Sequence, residues 1–343
     1  MKKKIWISCI CLILVTVCLL QLSSLLLQPK YMTGNREGAL ISEYYNEQNH
    51  AHDVLFIGDC EVYESFTPPT LWEQYGITSY IRGSAQQLAW HSYYLLEDTL
   101  RYETPRVVVF NVLSLKYGKP QKEEYNRMTL DGMEFSTTKL EAIKASMLEE
   151  ESFASYLFPL IRWHSRWSEL EADDFRYLFH RDRVSHNGYL MQTLVKPGKS
   201  EVEPSPLADY TLPSHSMEYL DKMRDLCAEK DIELVLVKAP TNDWKYHWYE
   251  EWDSQIVAYA AQNGLRYYNF IKETEEIGID WSTDTYDAGV HLNVYGAEKL
   301  TSYFGRILCE ELGLPDHRND PLLSGIWAEK LAAYYAEKNA GKA

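Results

Sequence analysis

The chain predicts an α/β fold with a mostly parallel, five-stranded sheet between two helical layers. Three observations carry this. Short apolar runs alternate with longer amphipathic segments, the rhythm of strand-helix units with right-handed crossovers. The run Arg106-Val-Val-Val-Phe-Asn111-Val-Leu is apolar on both faces, as a central strand covered on both sides must be. The run Val54 to Ile57 ends abruptly in Gly58-Asp59-Cys60, a tight turn at the carboxyl edge, where open α/β sheets bind ligands.

The elements follow in order. Strand one is Val54–Ile57. A helix near Pro69–Gln74 has Pro in its first turn and Gly76 at its stop. Ile77–Ile81 reads as strand two and closes on Arg82-Gly83-Ser84. Leu88–Tyr102 reads as a helix, Arg106–Leu113 as strand three. Residues 119–214 break the rhythm: a helix from about Ser136 to Met147, an aromatic-rich helix from Phe153 to Trp167, then a loop with Pro197, Pro204, Pro206 and Pro213. This reads as an insertion capping the sheet edge rather than an independent domain. The alternation resumes with helix Met217–Lys230, strand Glu233–Pro240, helix Trp248–Asn263 stopped by Gly264, strand Arg266–Phe270 and a helix over Ala297–Leu312. An amphipathic helix, Pro321–Lys338, ends the chain.

Residues 5–27 carry no charge and follow Lys2-Lys3-Lys4. Their length suits a helix crossing the hydrocarbon core, and the lysines place the amino terminus in the cytoplasm. A cleaved signal peptide is the rival reading; no small-x-small site follows the apolar run. The organisation expected is therefore a cytoplasmic tip and signal anchor (1–29), a stalk or entry helix (30–51), a main domain (52–315) and a C-terminal helix (316–343). The protein would be single-pass in the cell membrane, with its C-terminal domain extracytoplasmic. Net charge is −16, which argues against a nucleic-acid partner.

Six cysteines give no disulfide framework and no C-x-x-C spacing, and no metal site is expected. Cys9, Cys11 and Cys18 fall in the anchor; Cys60, Cys227 and Cys309 do not. Cys60, after a strand and before a helix, is a candidate nucleophile. Its bland alternative is a small buried hydrophobe. Asp287-Ala-Gly-Val-His291 offers a base and an orienting carboxylate, with Asp284 as the rival acid. Together these point to acyl transfer. Asp59 reads first as a cap for the following helix. Trp163, Trp167, Trp244, Trp248 and Trp252 read as core, or as sugar-stacking surfaces where exposed. Redox sensing by Cys60 would require Cys227 or Cys309 beside it.

Gly58-Asp59-Cys60, Gly83 after strand two, Asn111 near the end of strand three, and the Asp287/His291 pair resemble the blocks of the SGNH, or GDSL-type, hydrolases. The resemblance is scattered over residues 53–305 outside the insertion. Two features depart from the family pattern: Cys stands at position 60 for the usual Ser, and Asp287 precedes His291 by four residues instead of three. The resemblance implies a flavodoxin-like three-layer fold and a Cys60–His291–Asp287 site. It implies an oxyanion hole from the Cys60 and Gly83 backbones and the Asn111 amide, and no cofactor. The membrane-anchored branch, similar to alginate-type acetyltransferases and the teichoic-acid D-alanylation protein, fits the anchor best. That branch implies an acylated carbohydrate or envelope polymer as substrate and a polytopic acyl-donor partner. Esterase and O-acyltransferase share this chemistry. The alternative is a catalytically inactive protein of the same fold that binds glycan or assists polymer assembly.

Overall fold

The computed structural model describes residues 2–28, 37–180, 182–198, 206–242 and 248–341. Five strands form one parallel sheet: β1 (Val54–Gly58), β2 (Ser79–Gly83), β3 (Val107–Asn111), β4 (Glu233–Lys238) and β5 (Arg266–Asn269). Their spatial order is β2-β1-β3-β4-β5. The chain moves outward from β1 to β2, then returns past β1 to β3, so the direction of winding reverses between β1 and β3. That reversal opens a crevice at the carboxyl ends of these two strands.

Alternate strand residues serve opposite layers. Val54, Phe56, Val109, Val235 and Val237 pack with Leu71, Leu300 and Phe304 of the helices Pro68–Tyr75 and Val294–Glu310. Leu55, Ile57, Val108, Phe110, Leu234 and Leu236 pack with Trp90, Leu96, Leu220, Met223 and Ile256 on the other face. Residues this apolar on both sides fit a sheet whose two faces are both covered.

Local chemistry sets most helix ends. Thr67 caps Pro68–Tyr75 by accepting from Thr70 N, and Gly76 stops it in a left-handed conformation (φ 69°). Asn293 accepts from the Tyr295 and Gly296 amides and starts Val294–Glu310. Asp320 does the same for Pro321–Ala340. That C-terminal helix is docked by Trp327 stacked on Trp72, ring centroids 5.3 Å apart and nearly parallel.

Several boundaries differ from the sequence reading. Strand two begins at Ser79, not Ile77, because Gly76 spends two further residues turning the chain. Strand three stops at Asn111, and Val112–Lys116 coils into a 3-10 turn. The expected helix Phe153–Trp167 is broken by Pro159 into Phe153–Leu157, Leu160–Trp163 and a 3-10 turn, His164–Glu169. Three short helices, Glu123–Leu130, Ala172–Tyr177 and Thr274–Ile277, went unread. Of the two readings of residues 30–51, stalk or entry helix, residues 37–46 take the helical one. Glu37–Glu43 and the 3-10 turn Tyr44–Asn46 bury Leu40, Ile41 and Tyr44 completely, so this segment belongs to the folded domain. Trp244, Pro204 and residues 30–36 lie outside the described residues. Trp248 is buried, Trp163 and Trp252 half-buried, and Trp167 exposed.

The insertion returns along the free edge of β2. Ile81 N donates to Asn187 O (3.0 Å), and Asn187 Nδ2 donates to Ser79 O (3.1 Å). The turn depends on Gly188, whose φ is 83° and whose missing Cβ would stand 2.1 Å from Ile81 O. Gly188→Ala therefore destabilises the protein by about 1–3 kcal/mol in denaturant melts. An unchanged midpoint would show that the segment is not locked to the edge.

Candidate active site

The turn after β1 is built to expose one side chain. Gly58 has no Cβ because one would lie 2.5 Å from Val62 Cγ2. Asp59 then caps a one-turn helix, Cys60–Tyr63, by accepting from Glu61 N (3.2 Å). Cys60 is the first residue of that helix, where a backbone N–H has no partner within the turn. Its side chain sits at the carboxyl edge of the sheet and keeps 8% exposure.

His291 reaches the same place from far along the chain. The Cys60 thiol and the His291 imidazole are electrostatically coupled there. Nδ1 of His291 lies 2.7 Å from Asp287 Oδ2. Asp287 Oδ1 also accepts from His291 N (2.9 Å). The extra residue between Asp and His is absorbed locally: Ala288 (φ 73°) and Gly289 (φ 102°) both adopt the left-handed region and fold the chain back. Asp284 is placed elsewhere. Its carboxylate receives Lys299 Nζ (2.6 Å) and Asp280 N (2.7 Å), so it anchors a loop and a helix.

Beneath the turn lies a fully buried polar network. Lys238 Nζ, at the end of β4, donates to both Glu61 oxygens (2.9 and 2.8 Å) and to Ala239 O (2.7 Å). Asn111 Nδ2 donates to Asp59 Oδ1 (3.2 Å) and Glu61 Oε2 (3.0 Å), while its Oδ1 accepts from Ala239 N (3.1 Å). Both amide hydrogens of Asn111 are therefore committed to carboxylates, which corrects its expected place in an oxyanion hole. Gly83 ends β2 in register with Gly58; a Cβ there would press on Gly58 O and the Tyr63 ring, each at 3.1 Å.

Three nearby residues went unread in the sequence. Glu64 follows Cys60 by one helical turn, is 3% exposed, and stands 3.5 Å from His291 Nδ1. Tyr286 donates to Glu64 Oε1 (2.9 Å), and its ring stacks near His291. Lys116, half-buried after β3, is electrostatically coupled to Glu61, Asp59 and Cys60. A signal existed for Glu64, since positions four apart share a helix face.

The electrostatics oppose easy ionisation. Burial, more than any neighbour, pushes the Cys60 thiol up to about 11; His291 pulls it down, and Asp59 and Glu64 add to the rise. Burial alone would depress the His291 imidazole. Electrostatic coupling to Cys60, the Glu64 carboxylate and the hydrogen bond to Asp287 overrule it and hold the ring well above its ordinary value. Burial also works to raise Asp287, yet its bonds to His291 keep it low and ionised. Asp59 rises to about 7 through burial and the Glu61 charge. Cys227 packs on the opposite face of the sheet from Cys60, and Cys60, Cys227 and Cys309 are free thiols that form no redox pair. Among the described residues no cluster suited to a metal ion is present. A cavity of about 690 Å³ lined by Glu43, Tyr80, Phe179 and Lys330 contains none of these groups.

No protein-family model matches the chain, and no curated protein matches it either. Among solved structures the chain is similar to a GDSL-like lipase from Bacteroides thetaiotaomicron, at 12% identity and a TM-score of 0.39. The match covers 81% of this chain and 100% of that one.

Two outcomes follow from the site. Lys238→Met leaves the Glu61 charge buried and uncompensated, and costs about 3–5 kcal/mol in denaturant melts. The double variant Lys238→Met/Glu61→Leu recovers much of that loss; a single variant as stable as the parent would contradict the network. Alkylation of Cys60 by iodoacetamide, followed by peptide mass, should quicken about tenfold per pH unit from pH 7 towards 10, because only the thiolate reacts. Glu64→Gln removes a charge that raises both Cys60 and His291, so it should speed alkylation at pH 8. A rate that is flat above pH 7, or unmoved by Glu64→Gln, would overturn this account.

Proposed function

We propose that this protein is a membrane-anchored, extracytoplasmic esterase or O-acyltransferase of SGNH-like design, acting on acylated envelope carbohydrate. One observation supports the reading: the Cys60 thiol is electrostatically coupled to the His291 imidazole, whose Nδ1 lies 2.7 Å from the Asp287 carboxylate. The anchor reading rests on helix Lys2–Leu27, which is long and apolar enough to cross a membrane. A polytopic acyl-donor partner belongs to the same proposal.

Chemically, at a pH high enough for the His291 ring to be neutral, Cys60 Sγ attacks the acyl carbonyl as its proton passes to His291 Nε2. Asp287 holds Nδ1–H and favours the imidazolium that forms. The Cys60 and Gly83 N–H groups would receive the oxyanion, each such donor contributing about 2.7–4 kcal/mol. Collapse expels the alkoxide, which takes the proton from His291 and leaves a thioester on Cys60. Water, or a sugar hydroxyl, then gives its proton to His291 and attacks the thioester; the collapsing intermediate returns Sγ, which regains the proton. Glu64 and Tyr286 act on His291 as positioning residues.

A second reading, a non-catalytic glycan-binding or assembly protein of this fold, is favoured by the small exposure of Cys60 and its raised thiol. One experiment separates the two. The full chain is incubated with p-nitrophenyl acetate at pH 8 to 9, and intact mass is measured. Acetyl-Cys60 should accumulate, turnover should be lost in Cys60→Ala, and Cys60→Ser should retain a fraction. Equal turnover in Cys60→Ala with no adduct would leave the non-catalytic reading.

A further inference from the structure

The densest run of exposed apolar side chains in the insertion lies within residues 158–179. Phe158, Ile161, Trp167, Phe175 and Phe179 are 63%, 52%, 71%, 50% and 89% exposed. All lie within residues 158–179, on the short helices Leu160–Trp163 and Ala172–Tyr177, the turn His164–Glu169 and their flanks. A patch of this kind on an otherwise acidic protein marks a contact surface.

What covers it is decided by its neighbour. The helix Lys2–Leu27 packs its C-terminal end against these same three elements. Arg166 Nη1 donates to Leu27 O (2.9 Å), and Arg166 also pairs with Asp174 (3.4 Å), tying the end of the apolar helix to the insertion. A helix of 26 residues is about 39 Å long, whereas the hydrocarbon core is about 30 Å thick. Its last turns therefore emerge in the headgroup layer, and the elements around Leu27 share that depth. Aromatic side chains interspersed with Arg162, Arg166, Arg176 and His164 suit that layer, where an apolar ring can sink while charged tips stay wet.

We propose that residues 158–179 form a second membrane contact: the short helices lie in the outer interface of the bilayer around the exit of the span, with Phe158, Ile161, Trp167, Phe175 and Phe179 embedded among lipid. The proposal rests on the helix Lys2–Leu27 being a span, not on the acyl chemistry, so either can fail alone. It gives the insertion a task, which is to fix the height and tilt of the domain over the membrane.

The test uses the full chain in phosphatidylcholine vesicles, with and without bromine on the upper acyl chains, reading tryptophan emission. Trp167→Phe should lose part of the lipid-quenchable emission, and Trp167→Phe/Phe179→Trp should regain it. Trp6→Phe, within the span, should also lose part; if it loses none, the span is not inserted and the proposal falls with it. If Trp167→Phe quenches like the parent while Trp6→Phe does not, Trp167 is not in lipid and the proposal is overturned. Acrylamide then tells what is there instead: quenching of Trp167 means water, protection means a protein face such as a second copy.

Discussion

The buried pair of Lys238 and Glu61 is the constraint on which the site depends. A lysine at the end of a parallel strand has no water to solvate it, so it must find a carboxylate. It finds Glu61, one residue after Cys60, and Asn111 ties the same carboxylate to Asp59 and to the start of the segment after β4. Three strands are thus bolted to one helical turn. The position of Cys60 is set by charges beneath it more than by its own packing, which is why the turn can be short and still hold one orientation.

Above this floor, the histidine loop arrives by a different route. Asp284 and Asn293 pin its two ends, the first through Lys299 and the second through backbone carbonyls at Thr283 and Leu194. Between them the chain makes a left-handed reversal at Ala288 and Gly289 and lays Asp287 along His291. Division of labour between the two aspartates follows from this geometry: one stabilises the loop, the other touches the imidazole. Glu64 then brings a second carboxylate to the ring from the helix that starts at Cys60, so the imidazole faces two carboxylates from distant parts of the chain. Such surroundings hold a proton on the ring and, with burial of the thiol, place reactivity on the alkaline side.

Much of this was legible in the residues. Continuous apolar runs fixed the strand count and the parallel sheet; Gly76 and Gly264 marked helix stops; Asp59 read as a cap and serves as one. The pairing of Asp287 with His291 was readable too, with Asp284 left open beside it. Where the reading slipped, longer-range packing was responsible. Residues 37–46 could be read as stalk or entry helix, and only the structure shows Leu40, Ile41 and Tyr44 filling a core. The family resemblance put Asn111 at the oxyanion hole, but two carboxylates from the adjacent turn hold its amide. The charge at Lys238 in an otherwise apolar strand was a visible signal that a buried partner existed, but nothing local names Glu61 as that partner.

By itself, then, the sequence determined the periodicities, the caps, the breaks and the uncharged amino-terminal run, because these depend on neighbours within a few positions. Tertiary structure alone decided which distant groups meet: the sulfur with the imidazole, Glu64 with both, Lys238 with Glu61, and the insertion with the end of the apolar helix. The physical reason is that a contact between residues nearly two hundred positions apart is chosen by how layers close over a sheet, and no local pattern encodes that closure.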